Sequence, residues 1–354
     1  MNPDITIVIP TYNVSQYIEK CLLSVLNQDF QGWIEVLVID DCGQDDSINK
    51  VESIIQRHKR GGLVRIIHHE KNKGLGPSRN TGIDAAKGDY IFFLDSDDWI
   101  SNNCLSTLFK KIKETNADFV VGSVLRVEGG SEKVYAKNIY PATLVSHSGA
   151  GVYSLYHAPD FHIEVWNKLY NTSFLKRNKI RFVHRIFEDY YFDFRLRASS
   201  SKIAFVSEVT LFYNIRPNSI LTSLKSTKGT DESVKTFCEI INYLQRMLRE
   251  EYSDVEGIYD LYFQRMIWVF ENFKRYKYSP EQWDYIKAHI DGFCSFIDNE
   301  NLLKIKRHRL IYKNTIKDET IENFYSAKSV VDKVPIWQKL IFYSKVIARK
   351  LIRR

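Results

Sequence analysis

Three carboxylates within four positions, Asp95, Asp97 and Asp98, follow an apolar run in Phe93-Leu94-Asp95-Ser96-Asp97-Asp98-Trp99. On an extended backbone residues two apart project to the same side. Asp95 and Asp97 therefore present oxygen ligands together, a set suited to Mg²⁺ or Mn²⁺ carrying a diphosphate. Aspartates also end strands as turns and helix N-caps, and the stretch taken alone fits that use too. A second acidic pair, Glu188-Asp189, stands among aromatics in Phe187-Glu188-Asp189-Tyr190-Tyr191-Phe192. A carboxylate in such a partly apolar place is a candidate general base on a hydroxyl. Acids that open a helix and suit its dipole give the same pattern.

Other polar clusters share the N-terminal region. In Pro10-Thr11-Tyr12-Asn13 the Tyr12 ring can stack on a base, and Asp40-Asp41 can accept from a base N–H or from ribose hydroxyls. A strand-ending turn and a helix cap explain the same residues. Asn72-Lys73-Gly74-Leu75-Gly76-Pro77-Ser78-Arg79-Asn80 is a glycine-rich turn entering a helix, with backbone amides and the charges of Lys73 and Arg79 available to a diphosphate. It lacks the G-K-[ST] ending of a Walker loop. No H-E-x-x-H or G-x-S-x-G is present. His68-His69 suits a strand end, and Trp166–Tyr170 and Tyr213-Asn214-Ile215-Arg216 read as packing and surface clusters.

The elements that must position these groups alternate. Apolar runs Ile5–Ile9, Val36–Ile39, Val64–Ile67 and Tyr90–Leu94 predict strands buried on both faces, with helices over Gln16–Leu26, Ser47–His58 and Ser78–Ala86 between them. Strand and helix in alternation make a mainly parallel α/β sheet covered on both sides, whose ligands sit beyond the carboxyl ends of the strands. The polar clusters fall at those ends. A helix over Cys104–Thr115 follows, then strands in Asp118–Tyr140 around Gly129-Gly130, a mixed region to about Ser223, and helical patterns from Thr227 that continue through Tyr259–Tyr276 and Pro280–Ile297.

With 354 residues, a net charge of +7 and 14% aromatic residues, the composition is globular. Seven Lys or Arg and no acid lie between Lys333 and Arg354, which favours an anionic surface over nucleic acid as the basic region's partner. Five scattered cysteines without C-x-x-C spacing suit a reducing compartment. No apolar stretch is long enough to span a bilayer, and the first residues do not resemble a signal peptide. The expected location is the cytoplasm, with peripheral attachment to the inner membrane face.

Taken in order, Val8-Ile9-Pro10-Thr11-Tyr12-Asn13, Ile39-Asp40-Asp41, Asn72-Lys73-Gly74 with Ser78-Arg79-Asn80, Phe93-Leu94-Asp95-Ser96-Asp97-Asp98 and Glu188-Asp189 resemble the family 2 glycosyltransferases of the GT-A fold, over roughly residues 4–220. The resemblance implies a nucleotide-sugar donor, most often UDP-linked, and single displacement with inversion at the anomeric carbon. It implies Tyr12 beside the base, Asp41 reading it, Asp95 near ribose and metal, Asp97 on a divalent Mn²⁺ or Mg²⁺, and Asp189 as base with Glu188 beside it. Pro10, Thr11, Asn13, Asp40, Lys73, Gly74, Arg79 and Ser96 complete the implied donor site. Cys42-Gly43 replaces the usual serine after the paired aspartates, and the Q-x-x-R-W signature of processive synthases is absent. A non-processive enzyme acting on a glycan or lipid-linked acceptor in surface polysaccharide assembly is expected. A sugar-nucleotide pyrophosphorylase, or a non-catalytic nucleotide-sugar or glycan-binding module, is the alternative.

The expected organisation is a nucleotide-sugar-binding half over 1–100, an acceptor half over 101–225, a helical region over 226–334 and a basic tail over 335–354. In the tail Trp337, Leu340, Ile341, Ile347 and Leu351 fall near one side of a helix, as in an interfacial membrane segment. A helix packed on the protein with a solvated basic face fits the same residues.

Overall fold

The computed structural model describes residues 2–128, 134–138, 142, 144–146, 164–183, 188–216 and 231–250, and most of 279–289. The chain divides into two compact units, one of residues 1–148 with 162–224 and one of 149–161 with 225–354.

In the first unit the N-terminal alternation is as expected. Strand β1 (Ile5–Thr11), helix α1 (Ile18–Leu26), β2 (Ile34–Asp40), α2 (Ser47–Arg57), β3 (Val64–His68), α3 (Leu75–Ala85) and β4 (Tyr90–Phe93) follow one another. Every residue of β1 is buried, because helices cover both faces of the sheet's centre. The core is built from Ile7, Ile9, Val36, Val38 and Phe92 of the strands with Ile18, Leu22, Val25 and Val51 of the helices. Gly82 lets α3 lie directly on β1: a Cβ there would sit 2.3 Å from Val8 Cγ1.

The sheet runs β3-β2-β1-β4 in parallel and then turns mixed. After β5 (Trp99–Ile100) and α4 (Cys104–Thr115) come β6 (Phe119–Glu128), β7 (Val134–Asn138), β8 (Leu144–Ser146), β9 (Lys168–Asn171), α5 (Thr172–Arg177), α6 (Glu188–Ser199) and the 14-residue β10 (Lys202–Ile215). Strand β9 lies antiparallel between β4 and β6, and β10 runs parallel to β6 and antiparallel to β5. Parallel pairing thus concentrates in the N-terminal half, and the other half is largely antiparallel. Strands β6 and β7 pair as expected, and the Gly129-Gly130 turn lies outside the described residues.

In the second unit α7 (Asp231–Glu250) buries Ile240, Ile241, Leu244 and Met247. Residues 259–276 and 335–354, read above as helical, lie outside the described residues. No described helix is long and apolar enough to cross a membrane.

Candidate active site

Strand register brings the clusters to one edge. Thr11 is opposite Asp40 in the β1–β2 ladder, and Asp41 N donates to Thr11 O at 3.0 Å. The β1–β4 pairing extends through Leu94 N to Val8 O at 3.0 Å, after which the chain leaves the sheet into Asp95. Pro10 and Thr11 are buried, whereas the Tyr12 ring is 47% exposed at the mouth of this edge. Asn13 has a left-handed φ of 51°, and its side-chain oxygen accepts from Gln44 N at 2.7 Å. The loop after β2 is thereby tied to the loop after β1.

Arg79, on α3, is 1% exposed and joins three acids. One terminal nitrogen donates to Glu188 Oε1 and to Asp189 Oδ1, and the other to Asp95 Oδ1, each at 2.8 Å. Its guanidinium carbon lies 5.3 Å from the Phe182 ring centroid. Its charge is therefore turned toward carboxylates, where the sequence alone suggested a diphosphate. Burial pushes the Asp189 carboxyl well above the usual carboxylate range; Arg79 opposes this, and Glu188 and Asp95 add to it. Glu188 is raised by burial and likewise held back by Arg79. Both acids lie in the first turn of α6, where the helix dipole favours negative charge.

Asp41, also buried, holds the glycine-rich loop. Its Oδ1 accepts from Lys73 N at 2.8 Å and its Oδ2 from Gly74 N at 2.8 Å, while His69 Nδ1 lies 2.7 Å from Oδ1. The far ring nitrogen of His69 is 2.9 Å from Thr81 Oγ1, on α3. Gly74 has φ 91°, the left-handed region that only glycine enters without strain, and that conformation starts α3. His69, read from the sequence as a strand cap, is instead a brace between Asp41 and α3. Asp40 pairs with the exposed His68 at 2.8 Å.

The acidic loop is secured from β10. Phe212 pairs with Trp99, which puts Asn214 and Arg216 alongside the aspartates. Asn214 N donates to Asp98 Oδ1 at 2.8 Å, and Arg216 Nε donates to Asp97 Oδ2 at 2.6 Å. Burial raises Asp98 well above the usual range, and the charges of Asp97 and Asp95 raise it further. Asp97 is raised by burial and by Asp95, with Arg216 opposing. Ser96 is buried between them. Arg216, placed by its sequence neighbours among surface and packing residues, belongs to this site; only the strand pairing reveals it. The Trp166 cluster is packing as read, with Trp166 stacked on Tyr213 at 5.4 Å.

Among the described residues no group of three or more His, Cys, Asp or Glu side chains is arranged to hold a metal ion. Hard oxygen donors on Asp95 and Asp97 nevertheless fit a Mg²⁺-type ion, which takes one or two carboxylates and completes its shell with substrate phosphates and water.

Residues 6–185 match the family described as glycosyl transferase family 2. Glycosyltransferase GlyA of Streptococcus pneumoniae is 30% identical over 256 residues, 69% of this chain and 35% of that protein. The uncharacterized glycosyltransferase EpsJ of Bacillus subtilis is 30% identical over 239 residues, 66% of this chain and 67% of that protein. The chain thus spans about a third of GlyA and two thirds of EpsJ. The structure of Staphylococcus aureus TarS 1–349 in complex with UDP-GlcNAc superposes with a TM-score of 0.66 at 22% identity, covering 83% of this chain and 81% of that one, and shares the fold. With the match extending over half its length, the chain belongs to the family 2 glycosyltransferases.

Proposed function

We propose that this chain moves a sugar from a UDP-linked donor to a hydroxyl of a glycan or lipid-linked acceptor in surface polysaccharide assembly, with inversion. The observation that carries the reading is the Arg79 junction, which ties Asp95 at the donor edge to Glu188 and Asp189 at the start of α6. A base and a donor site must hold a fixed separation for an in-line displacement, and a buried guanidinium bonded to both supplies it. That TarS, with the same fold, binds UDP-GlcNAc supports the donor class.

In this mechanism Asp189 accepts the proton of the acceptor hydroxyl as that oxygen bonds to the anomeric carbon. The bond from that carbon to the diphosphate breaks on the opposite face. The raised affinity of Asp189 for a proton makes it a stronger base than an ordinary aspartate. Asp97 and Asp95 would hold a divalent ion, whose charge, when bound, offsets that developing on the leaving diphosphate. Tyr12 stacks on the nucleobase and Asp41, which also holds the Lys73-Gly74 loop, reads it. The segment 335–354 meets an anionic membrane surface where a lipid-linked acceptor resides.

A panel of nucleotide sugars, read by thermal shift with and without Mn²⁺, tests the donor; absence of any metal-dependent shift defeats it. Asp97→Ala should abolish the metal-dependent shift. Asp189→Asn should keep it while transfer falls by about 10² to 10⁴-fold. Undiminished transfer by Asp189→Asn would remove Asp189 from the role of base.

A further inference from the structure

Asp97 already has a cation. Arg216 Nε donates to its Oδ2 at 2.6 Å, and both side chains are only about a fifth exposed, at 22% and 21%. The guanidinium carbon lies over the Tyr17 ring, 5.2 Å from its centroid, within cation–π range. The backbone leading to it is anchored two residues earlier, where Asn214 N meets Asp98 Oδ1 at 2.8 Å. Among the described residues Asp98 Oδ2 is buried with no hydrogen-bond partner, so the contact with Asn214 N is the described bond of this acid. Asp98 thus positions the end of β10, and with it Arg216, against the acidic loop.

The three aspartates of the loop repel one another, and two arginines answer them. Arg79 neutralises Asp95 from the side of the base, and Arg216 neutralises Asp97 from the side of β10. The two differ in kind. Arg79 is fully buried and bonded to three acids, whereas Arg216 is partly exposed and, among the described residues, paired with one acid, so it is the one placed to leave. A guanidinium and a divalent ion on the same carboxylate repel each other and compete for its oxygens.

We propose that Arg216 is an exchangeable counter-cation of the donor site, holding Asp97 when no metal is bound and yielding that carboxylate to a divalent ion, which leaves its guanidinium facing the diphosphate. The inference rests on the assignment of Asp97 as metal ligand.

Mn²⁺ binding to the full chain without nucleotide, followed by electron paramagnetic resonance, measures the competition. Arg216→Gln should bind Mn²⁺ about 5-fold more tightly than the unaltered protein, the fold-change equivalent to losing a partly exposed ion pair of about 1 kcal/mol. In the unaltered protein the Arg216 ¹⁵Nε–¹H resonance, identified by its loss in Arg216→Lys, should move toward that of free arginine as Mg²⁺ is added. Equal Mn²⁺ affinity in both proteins overturns the exchange while leaving the metal site intact. Tighter binding with an unmoved resonance overturns it too, because a long-range charge effect then suffices. If neither protein binds Mn²⁺, the metal-site reading itself fails, and the exchange with it.

Discussion

Lysine could not do what Arg79 does. Its ammonium is a compact point charge, whereas the guanidinium fork sends separate N–H groups to Asp95 and to the Glu188-Asp189 pair at once. Arg79→Lys should therefore leave at least one of these acids without its cation. The predicted stability loss is about 3–5 kcal/mol if a buried charge is stranded, and less if that acid takes up a proton. The kinetic consequence has a definite sign. As the proposed base, Asp189 must be ionised; burial raises its affinity for protons, and Arg79 opposes that rise. The acid limb of kcat against pH should thus fall above the ordinary aspartate value of about 4. In Arg79→Lys it should move to still higher pH. A lower kcat with an unmoved limb would show that Arg79 supports the fold alone. Each of these acids was visible in the sequence as an adjacent or alternating carboxylate, a pattern that turns and helix caps share. Arg79 was visible too, as a charge for a diphosphate, but its pairing with these acids was not, since it lies 16, 109 and 110 positions from the groups it bonds. The role of His69 is hidden for the same reason: it exists only once β3 lies beside β2, with Asp40 opposite His68.

Helix α3 carries Arg79 and rests on β1 through Gly82. Alanine in place of a helical glycine gains about 1 kcal/mol in helix propensity, and overpacking a core costs about 1–3 kcal/mol. Here the second effect wins. The obstructing group is a Val8 methyl, 2.3 Å from where the alanine Cβ would stand, and Val8 is wholly buried in the central strand, with little room to yield. Gly82→Ala should therefore lower the denaturation midpoint. It should also cut transfer more than donor binding, because a lifted α3 takes Arg79 away from Asp189; unchanged stability would mean that α3 shifts freely on the sheet. The parallel strands were legible because double-sided burial writes unbroken apolar runs. Strands β9 and β10 were not, because they bury polar residues that tertiary bonds satisfy. Asn167, just before β9, donates to Gly122 O and Ser123 O and accepts from the buried Thr210 Oγ1 of β10, while register shifts near Val209 break the alternation of β10. With β10 unassigned, the pairing of Arg216 with Asp97 had no sequence signal.

Charge is the property of the whole molecule that bears on where it works. The net charge is +7, and seven Lys or Arg with no acid lie in Lys333–Arg354, so this stretch alone equals the excess. Near an anionic leaflet each basic side chain contributes about 1 kcal/mol of attraction, a term that decays within a Debye length of about 8 Å at physiological salt. Apolar residues such as Trp337, Leu340 and Ile341 would add burial at the headgroup boundary. Together these terms are ample for peripheral binding, whereas a neutral bilayer offers only the second. Liposome flotation separates the possibilities. The full chain should float with vesicles rich in anionic lipid, and sink with neutral ones or in about 0.5 M salt, where the screening length is roughly halved. A version ending at Val334 should sink in every condition while keeping transfer to a water-soluble acceptor, since none of the proposed site residues lies beyond Arg216. Equal flotation by the two proteins would assign the basic segment to packing on the protein and would leave attachment, if any, to another surface.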